Sequence, residues 1–148
     1  MNITTRMATE EDFAFAYQLK KAAEYGPIKA VFGWDEALQQ KLHRQEWSEC
    51  KPILILSDGE PIGSYLVKEN EDHLYLGRFF LLPECHGRGI GSGILTDVTK
   101  HADQQQLPCR LDYLQGNRVG RLYERYGFQK VSENAQFIFM ERKPKDAV

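Results

Sequence analysis

Cysteine is scarce in this chain of 148 residues: there are three, Cys50, Cys85 and Cys109, odd in number and far apart. That fits reduced thiols better than a disulfide framework or a zinc site, and Cys85, beside a glycine-rich turn where an exposed thiol would react, is expected to be structural because no motif supports catalysis by it. Long apolar runs are missing as well. Nothing approaches the roughly 20 residues of a membrane span, and Met1 to Arg6 lack the apolar core of a signal peptide. A cytoplasmic protein with no membrane partner is expected. Basic charge is not in excess either: 19 Lys and Arg stand against 21 Asp and Glu, a net charge of -2, and no Lys/Arg cluster occurs. A protein dedicated to nucleic acid would be basic on one face, so no nucleic-acid partner is expected. Repeats, linkers and low-complexity segments are also absent. What remains is 42% apolar and 27% charged, which with this length reads as one globular domain over 1–148.

Glycine, by contrast, is concentrated. Four of the 12 glycines fall at every second position in His86-Gly87-Arg88-Gly89-Ile90-Gly91-Ser92-Gly93-Ile94-Leu95. The stretch follows an apolar run, Phe79 to Leu82, that reads as a strand, and it opens a segment that reads as a helix. A strand, a glycine turn and a helix start make an anion site, because free backbone N–H groups and the helix dipole converge there. Phosphate is the expected guest. The nucleotide P-loop requires Gly-Lys-Ser/Thr at its end, and no such pair follows these glycines. The dinucleotide fingerprint requires glycine at its first, third and sixth positions, whereas the sixth is Ser92 counted from Gly87 and Ile94 counted from Gly89. A dinucleotide-dependent oxidoreductase is therefore disfavoured.

In chain order, residues 2 to 7 read as a strand, and Thr9-Glu10-Glu11-Asp12 as a capped helix start. Phe13, Ala16, Tyr17 and Lys20 share a face of the first helix, which the Gly26-Pro27 pair is expected to end. A second helix begins near Asp35 with a thin stripe of Trp34, Leu38 and Leu42 as its apolar face. Lys51 to Ser57 and Ile62 to Lys68 form a hairpin around Asp58-Gly59-Glu60-Pro61, and His73 to Leu82 is the next strand. Ile90, Ile94, Leu95, Val98 and Ala102 lie on one face of the helix after the glycines, which Leu107-Pro108 closes. Cys109 to Leu114 is the fifth strand, and the helical crossover predicts that it runs parallel to the fourth. Asn117 is placed as the N-cap of a short helix bearing Val119, Leu122, Tyr123 and Tyr126, with Gly127 at its left-handed end. Gln129 to Ser132 and Gln136 to Arg142 finish the chain as strands.

Two of these stretches carry a family likeness. His86, Gly89 and Gly91 fall on the first, fourth and sixth positions of the acetyl-CoA signature Gln/Arg-x-x-Gly-x-Gly/Ala, with His86 departing from the pattern. Asn117 to Phe128 is similar to the segment Asn-x(5 or 6)-Tyr-Glu-x-x-Gly-Phe, with five residues between Asn117 and Tyr123. About 30 residues apart and in this order, they resemble the GNAT superfamily of N-acetyltransferases, and the likeness covers nearly the whole chain. The resemblance implies an α/β (α+β) fold: a mixed, mostly antiparallel sheet of six to seven strands, about four flanking helices, and strands four and five parallel and splayed. It implies acetyl-CoA as cosubstrate, its pantetheine arm bound by the backbone of Phe79, Phe80 and Leu81. The amides of Gly87, Arg88, Gly89, Ile90, Gly91 and Ser92 would take the pyrophosphate, and Asn117 the arm. The segment from Glu24 to Trp47 would choose the acceptor.

The implied reaction passes an acetyl group directly to a primary amine of a small molecule or of a peptide or protein, since no cysteine sits in a nucleophile motif. Deprotonating such an amine at neutral pH costs roughly 4 to 5 kcal/mol, so a base or a dry pocket must help. Asp112, in Leu111-Asp112-Tyr113, falls where several relatives carry a glutamate base; Glu24, Asp35 and Glu36 are weaker candidates. Tyr123 falls on the family's proton donor to the leaving thiolate. A core tyrosine and a structural aspartate are the bland alternatives for these two positions. An alternative for the whole chain is a sensor that binds a CoA thioester without turnover. Many relatives pair through sheet edges, so a homodimer is allowed.

Overall fold

The computed structural model describes residues 2–145; the ends of the expected 1–148 domain, Met1 and 146–148, lie outside the described residues. Among the described residues seven strands and four helices follow in the order β1 (Ile3–Met7), α1 (Phe13–Phe32), α2 (Glu36–Glu49), β2 (Ile53–Ser57), β3 (Glu60–Glu69), β4 (Leu74–Leu81), α3 (Ile90–Gln105), β5 (Cys109–Leu114), α4 (Gly120–Arg125), β6 (Gln129–Glu133) and β7 (Phe137–Arg142). The strands are hydrogen-bonded in the order β1-β2-β3-β4-β5-β7-β6. The β1–β2, β2–β3, β5–β7 and β6–β7 pairs are antiparallel. The β4–β5 pair is parallel, as the helical crossover requires, and its register is Leu74↔Cys109 and Tyr75↔Arg110, two rungs at the start of each strand. By contrast, all six residues of β5 pair with β7. The chain divides into two compact units, one of Met1–Leu66 and Arg78–Gly87, the other of Val67–Gly77 and Arg88–Val148.

In the first unit a 3-10 turn over Glu10–Asp12 leads into α1. Asp12 makes that turn: its Oδ2 accepts from the Thr9 N–H at 2.8 Å and from Arg6 Nη1 at 2.8 Å. Ala8, Ala16, Trp47, Leu54 and Leu56 form the core here, with Phe13 and Phe15 packed on it. Two expectations are corrected. Gly26-Pro27 does not end α1, which continues for another turn and buries Ile28 just past the proline. The stop is Gly33, at φ 76, whose N–H bonds the Lys29 carbonyl at 3.1 Å. The second correction concerns α2. Leu38 and Leu42 are exposed (48% and 36%), and the buried face is Gln39, His43 and Trp47. The same spacing is shifted by one residue or more because the aromatic partners decide the rotation: Phe13 stands 4.6 Å from the His43 ring and 5.4 Å edge-on to Trp47, and His43 Nε2 lies 3.1 Å from the Phe13 carbonyl oxygen.

In the second unit α3 buries Ile90, Ile94, Leu95, Val98 and Ala102, the expected face, and adds Thr99, whose hydroxyl returns to the Leu95 carbonyl at 2.8 Å. Cys109 and Leu111 of β5 and Met140 and Arg142 of β7 are buried opposite one another in register. Arg142 fastens this side. Its guanidinium donates to both Asp103 carboxylate oxygens at 2.9 and 3.0 Å and through Nε to the Tyr126 carbonyl at 2.8 Å, joining β7 to the ends of α3 and α4. Gly127, at φ 92, closes α4 as expected. Asn117 is not the N-cap of α4. Its Oδ1 accepts from the Val119 N–H at 3.2 Å, closing a local turn, and the helix starts at Gly120 with Val119 as its cap residue.

Candidate active site

In the first unit the last residues of β4 set the site. Arg78 has φ 46, a left-handed conformation rare for a residue with a side chain and unusual inside a strand. It is held there by its guanidinium, which donates to the Cys50 carbonyl at 3.1 Å and lies 3.7 Å from Glu46, and by Ser64, whose hydroxyl donates to the Arg78 carbonyl at 3.4 Å. Past this irregularity the strand alternates again. The Leu82 N–H bonds the Ile62 carbonyl at 2.9 Å, and a Cβ at Gly63 would stand 2.5 Å from the Phe80 carbonyl oxygen. Phe80 and Leu82 thus turn their peptide groups toward β3, and Phe79 and Leu81 turn theirs away from it. Leu81 oxygen is met by His86 Nε2 at 3.1 Å, so the residue that departs from the signature closes the strand end. A 3-10 turn over Pro83–Cys85 buries Cys85 and delivers the chain to Gly87.

Gly87 and Gly89 have φ of 76 and 79, conformations that favour glycine, and Gly89 is the N-cap of α3. The first intrahelical bond runs from the Gly93 N–H to the Gly89 carbonyl at 3.0 Å, which leaves the N–H groups of Ile90, Gly91 and Ser92 without intrahelical acceptors. A Cβ built at Gly87, Gly89 or Gly93 meets nothing within 4 Å. Gly93 is informative because neither backbone nor packing requires it, and glycine inside a helix costs about 1 kcal/mol relative to alanine. Open space over bare backbone at a helix N-terminus is what close approach by a phosphate needs, so these residues fit the pyrophosphate of CoA.

In the second unit β5 presents two chemistries on its two faces. Tyr113 packs toward α4, its ring 5.9 Å from that of Tyr123, and a side chain at Gly120 would run into the Tyr113 hydroxyl. Tyr123 is buried (7% exposed), with Phe128 edge-on at 5.8 Å. Asp112, the neighbour of Tyr113, points to the opposite face. There the Tyr75 hydroxyl donates to its carboxylate, 3.3 Å from each oxygen. Burial pushes the Asp112 carboxyl above its ordinary value, partly countered by the Tyr75 bond. The structure thus puts Asp112 and Tyr123 on opposite sides of one strand. Neither Tyr75 nor Arg78 is announced by a sequence motif.

Asp35 and Glu36, two of the weaker base candidates, have other duties. Asp35 Oδ1 accepts from the Leu38 N–H at 3.1 Å and caps α2. Glu36 receives Trp34 Nε1 at 2.7 Å, Tyr17 Oη at 3.0 Å, Lys21 Nζ at 3.1 Å and Gln40 Nε2 at 3.3 Å. Those donors, Trp34 first and Lys21 next, hold its carboxyl at about 2, too acidic to take a proton from an ammonium group.

A family model for the acetyltransferase (GNAT) family matches residues 13–128, most of the chain and both motifs. The chain belongs to that family. As a GNAT acetyltransferase it is an acyltransferase whose cosubstrate is acetyl-CoA. No curated protein is similar enough to count as a match. Solved structures share the fold throughout. A PaiA N-acetyltransferase from Thermoplasma acidophilum, in complex with coenzyme A, is 21% identical with a TM-score of 0.75, over 97% of this chain and 99% of its own. The ribosomal-protein-S18-alanine N-acetyltransferase of Escherichia coli is 15% identical with a TM-score of 0.72, over 99% and 97%. Ard1 from Thermoplasma volcanium is 19% identical with a TM-score of 0.69, over 99% and 100%. Among the described residues of this GNAT protein no helix is long and apolar enough to cross a membrane.

Proposed function

We propose that this chain is a single-domain N-acetyltransferase that passes the acetyl group of acetyl-CoA directly to a primary amine of a small molecule or of a peptide or protein. The observation that carries this reading is the continuous stretch from Phe79 to Ser92, in which outward-facing strand peptides lead through left-handed Gly87 and Gly89 to the free N–H groups of α3. The peptides of Phe79 and Leu81, with Phe80 between them, pair with the amides of the pantetheine arm as an added strand would. The backbone of Gly87, Arg88, Gly89, Ile90, Gly91 and Ser92 takes the pyrophosphate, and Asn117 bonds the arm from the turn ahead of α4.

Asp112 and Tyr123 then divide the proton traffic. The attacking amine loses a proton and the departing thiolate gains one, at different sides of the carbonyl carbon. Because the two lie on opposite faces of β5, Asp112, with its short side chain, acts on the amine through a water. A carboxyl raised by burial is a better base than a solvated one, and the phenol works uphill by only about 2 kcal/mol against a thiolate. A cytoplasmic location suits the three free thiols, Cys50, Cys85 and Cys109.

Calorimetric titration of the purified chain with acetyl-CoA, CoA and NAD, followed by a thiol-release screen of amines, tests the reading. Micromolar affinity for acetyl-CoA, about 8 kcal/mol, with none for NAD and turnover with an amine supports it. Tight acetyl-CoA binding without turnover on any amine would instead leave a CoA-thioester sensor. No binding of either CoA species would sink both.

A further inference from the structure

In the second unit Asp112 stands on a face of the sheet that carries more than proton transfer requires. Its cross-strand partner is Phe139, and that of Arg110 is Glu141, so these four side chains emerge on one side of β5 and β7, with Phe137 two residues along. The Phe137 and Phe139 rings are 6.3 Å apart, tilted by 45°, and both are partly exposed. From β4 comes Tyr75, in register with Arg110. A Cβ at Gly77 would stand 2.7 Å from the Tyr75 ring, so the ring leans along its strand over that glycine and carries its hydroxyl on to Asp112. Three aromatic side chains thus flank one carboxylate. The charges on this face are unequal. Glu141 is paired with Arg110 at 2.9 Å, whereas among the described residues the Asp112 carboxylate is met by a neutral phenol, 3.3 Å from each oxygen. A carboxylate set among rings with no basic partner suits a single cation on a carbon body.

We propose that this face selects the acceptor, and that the acceptor is a primary monoamine whose nitrogen is joined by a short carbon linker to an aromatic or other bulky apolar group, either as a free amine or as a peptide N-terminus with such a first side chain. The inference rests on the acetyl-transfer reading above, with Asp112 as its base. The ammonium faces Asp112 across the water assigned there and gains from its charge. The apolar group lies on Phe139, whose Cβ is about 5 Å from that of Asp112, the separation of a directly opposed pair. Contact with the ring and removal of apolar area from water hold it there. A polyamine would bring a second ammonium toward Arg110 or the rings, with no second unpaired carboxylate to meet it. An amino sugar would turn hydroxyls onto rings that offer them no hydrogen-bond partner. Both are therefore disfavoured. Phe139 touches neither transferred proton, so it sets which amine is bound rather than how fast the amine reacts.

The test follows thiol release from saturating acetyl-CoA on the full chain, with 2-phenylethylamine, Phe-Ala-Ala amide, spermidine and glucosamine as acceptors. For the better of the first two, kcat/KM is expected to be at least about tenfold higher than for either of the others, and which of the two leads identifies the source. Phe139→Ala should raise KM for that amine by about tenfold, with kcat within about threefold and acetyl-CoA affinity unchanged in calorimetry. Phe139→Leu, which keeps an apolar side chain in the sheet, should give a smaller rise in the same direction. Arg110→Gln frees the Glu141 carboxylate of a partly exposed pair and should raise kcat/KM for spermidine relative to 2-phenylethylamine by about threefold. Spermidine or glucosamine turned over as well as the apolar amines, or a KM unchanged in both Phe139 variants, would overturn the acceptor class alone. A wild type that binds no acetyl-CoA, or that acetylates none of the amines, would overturn the acetyl-transfer reading with it.

Discussion

Replacing Arg142 by methionine tests how the short helix that carries Tyr123 is held. A helix of six residues has little stability of its own in water, so its place depends on neighbours. Arg142 supplies a large share: the side chain is 4% exposed and makes two charge-assisted bonds to Asp103 and a third to the Tyr126 carbonyl at the end of α4. Methionine keeps the length and the packing but strands the Asp103 carboxylate. Breaking a fully buried pair costs about 3 to 5 kcal/mol. The Asp103 side chain is 28% exposed and keeps the Lys145 N–H at 2.8 Å, so water and that bond recover part of the loss, and about 2 to 4 kcal/mol remains. For a chain of this size that lowers Tm by roughly 6 to 12 °C. Urea unfolding followed by circular dichroism at neutral pH measures it. Adding Asp103→Asn to Arg142→Met should return at least about 1 kcal/mol relative to the sum of the single variants, since no unpaired charge is then left. A single Arg142→Met variant within about 1 kcal/mol of wild type would refute the clamp.

Other perturbations address the chemistry and the frame. Tyr123→Phe should lower kcat by about 10²- to 10⁴-fold with acetyl-CoA affinity unchanged in calorimetry, and an unaltered kcat would remove the proton-donor role. Asp112→Asn keeps an acceptor for Tyr75 but cannot take a proton; it should lower kcat by a similar factor and flatten the acid limb of the pH–rate profile, which in the wild type lies above the range of a solvated aspartate because burial raises this carboxyl. Gly89→Ala puts a side chain at φ 79 and over the open helix start; about 1 to 2 kcal/mol of strain and a weakening of acetyl-CoA binding by more than tenfold are expected from thermal melts and titration. The Arg6 pair holds Asp12 at about 2 in the folded chain against 3.8 for a free carboxyl, so its contribution is present above that ordinary value and is lost as pH falls toward 2. Arg6→Gln should therefore flatten the acid side of the stability curve and change the slope little above pH 5.

How far the sequence went depends on what each signal contained. The apolar face of α3 and the bounds of β5 were legible, because a period of 3.6 over sixteen residues and a short strand between Pro108 and the Gly116 turn leave few alternatives. The parallel pairing of β4 and β5 followed from the crossover rule and needed no side chains. The rotation of α2 was not legible. Its buried face includes the polar residues Gln39 and His43, and the burial of His43 depends on Phe13, thirty residues away. The end of α1 was misplaced because Gly26-Pro27 looks like punctuation, and only the burial of Ile28 shows that the helix goes on. Asn117 carries the right chemistry for a cap, but a turn intervenes before the helix. The left-handed Arg78 had no signature at all, since the contacts that hold it come from Ser64, Cys50 and Glu46, far away in sequence.

The four donors gathered on Glu36 bear on how this chain can diversify. They draw Tyr17 and Lys21 of α1, Trp34 of the connection and Gln40 of α2 onto one carboxylate, so polar groups tie the two helices together here, beside the aromatic contacts of Phe13. Leu38 and Leu42, both exposed, lie outside that cluster. A lineage could rewrite those outward positions to suit a new partner or acceptor while the hinge of the segment stays fixed. Selection on recognition and selection on folding would then act on different residues of the same two helices.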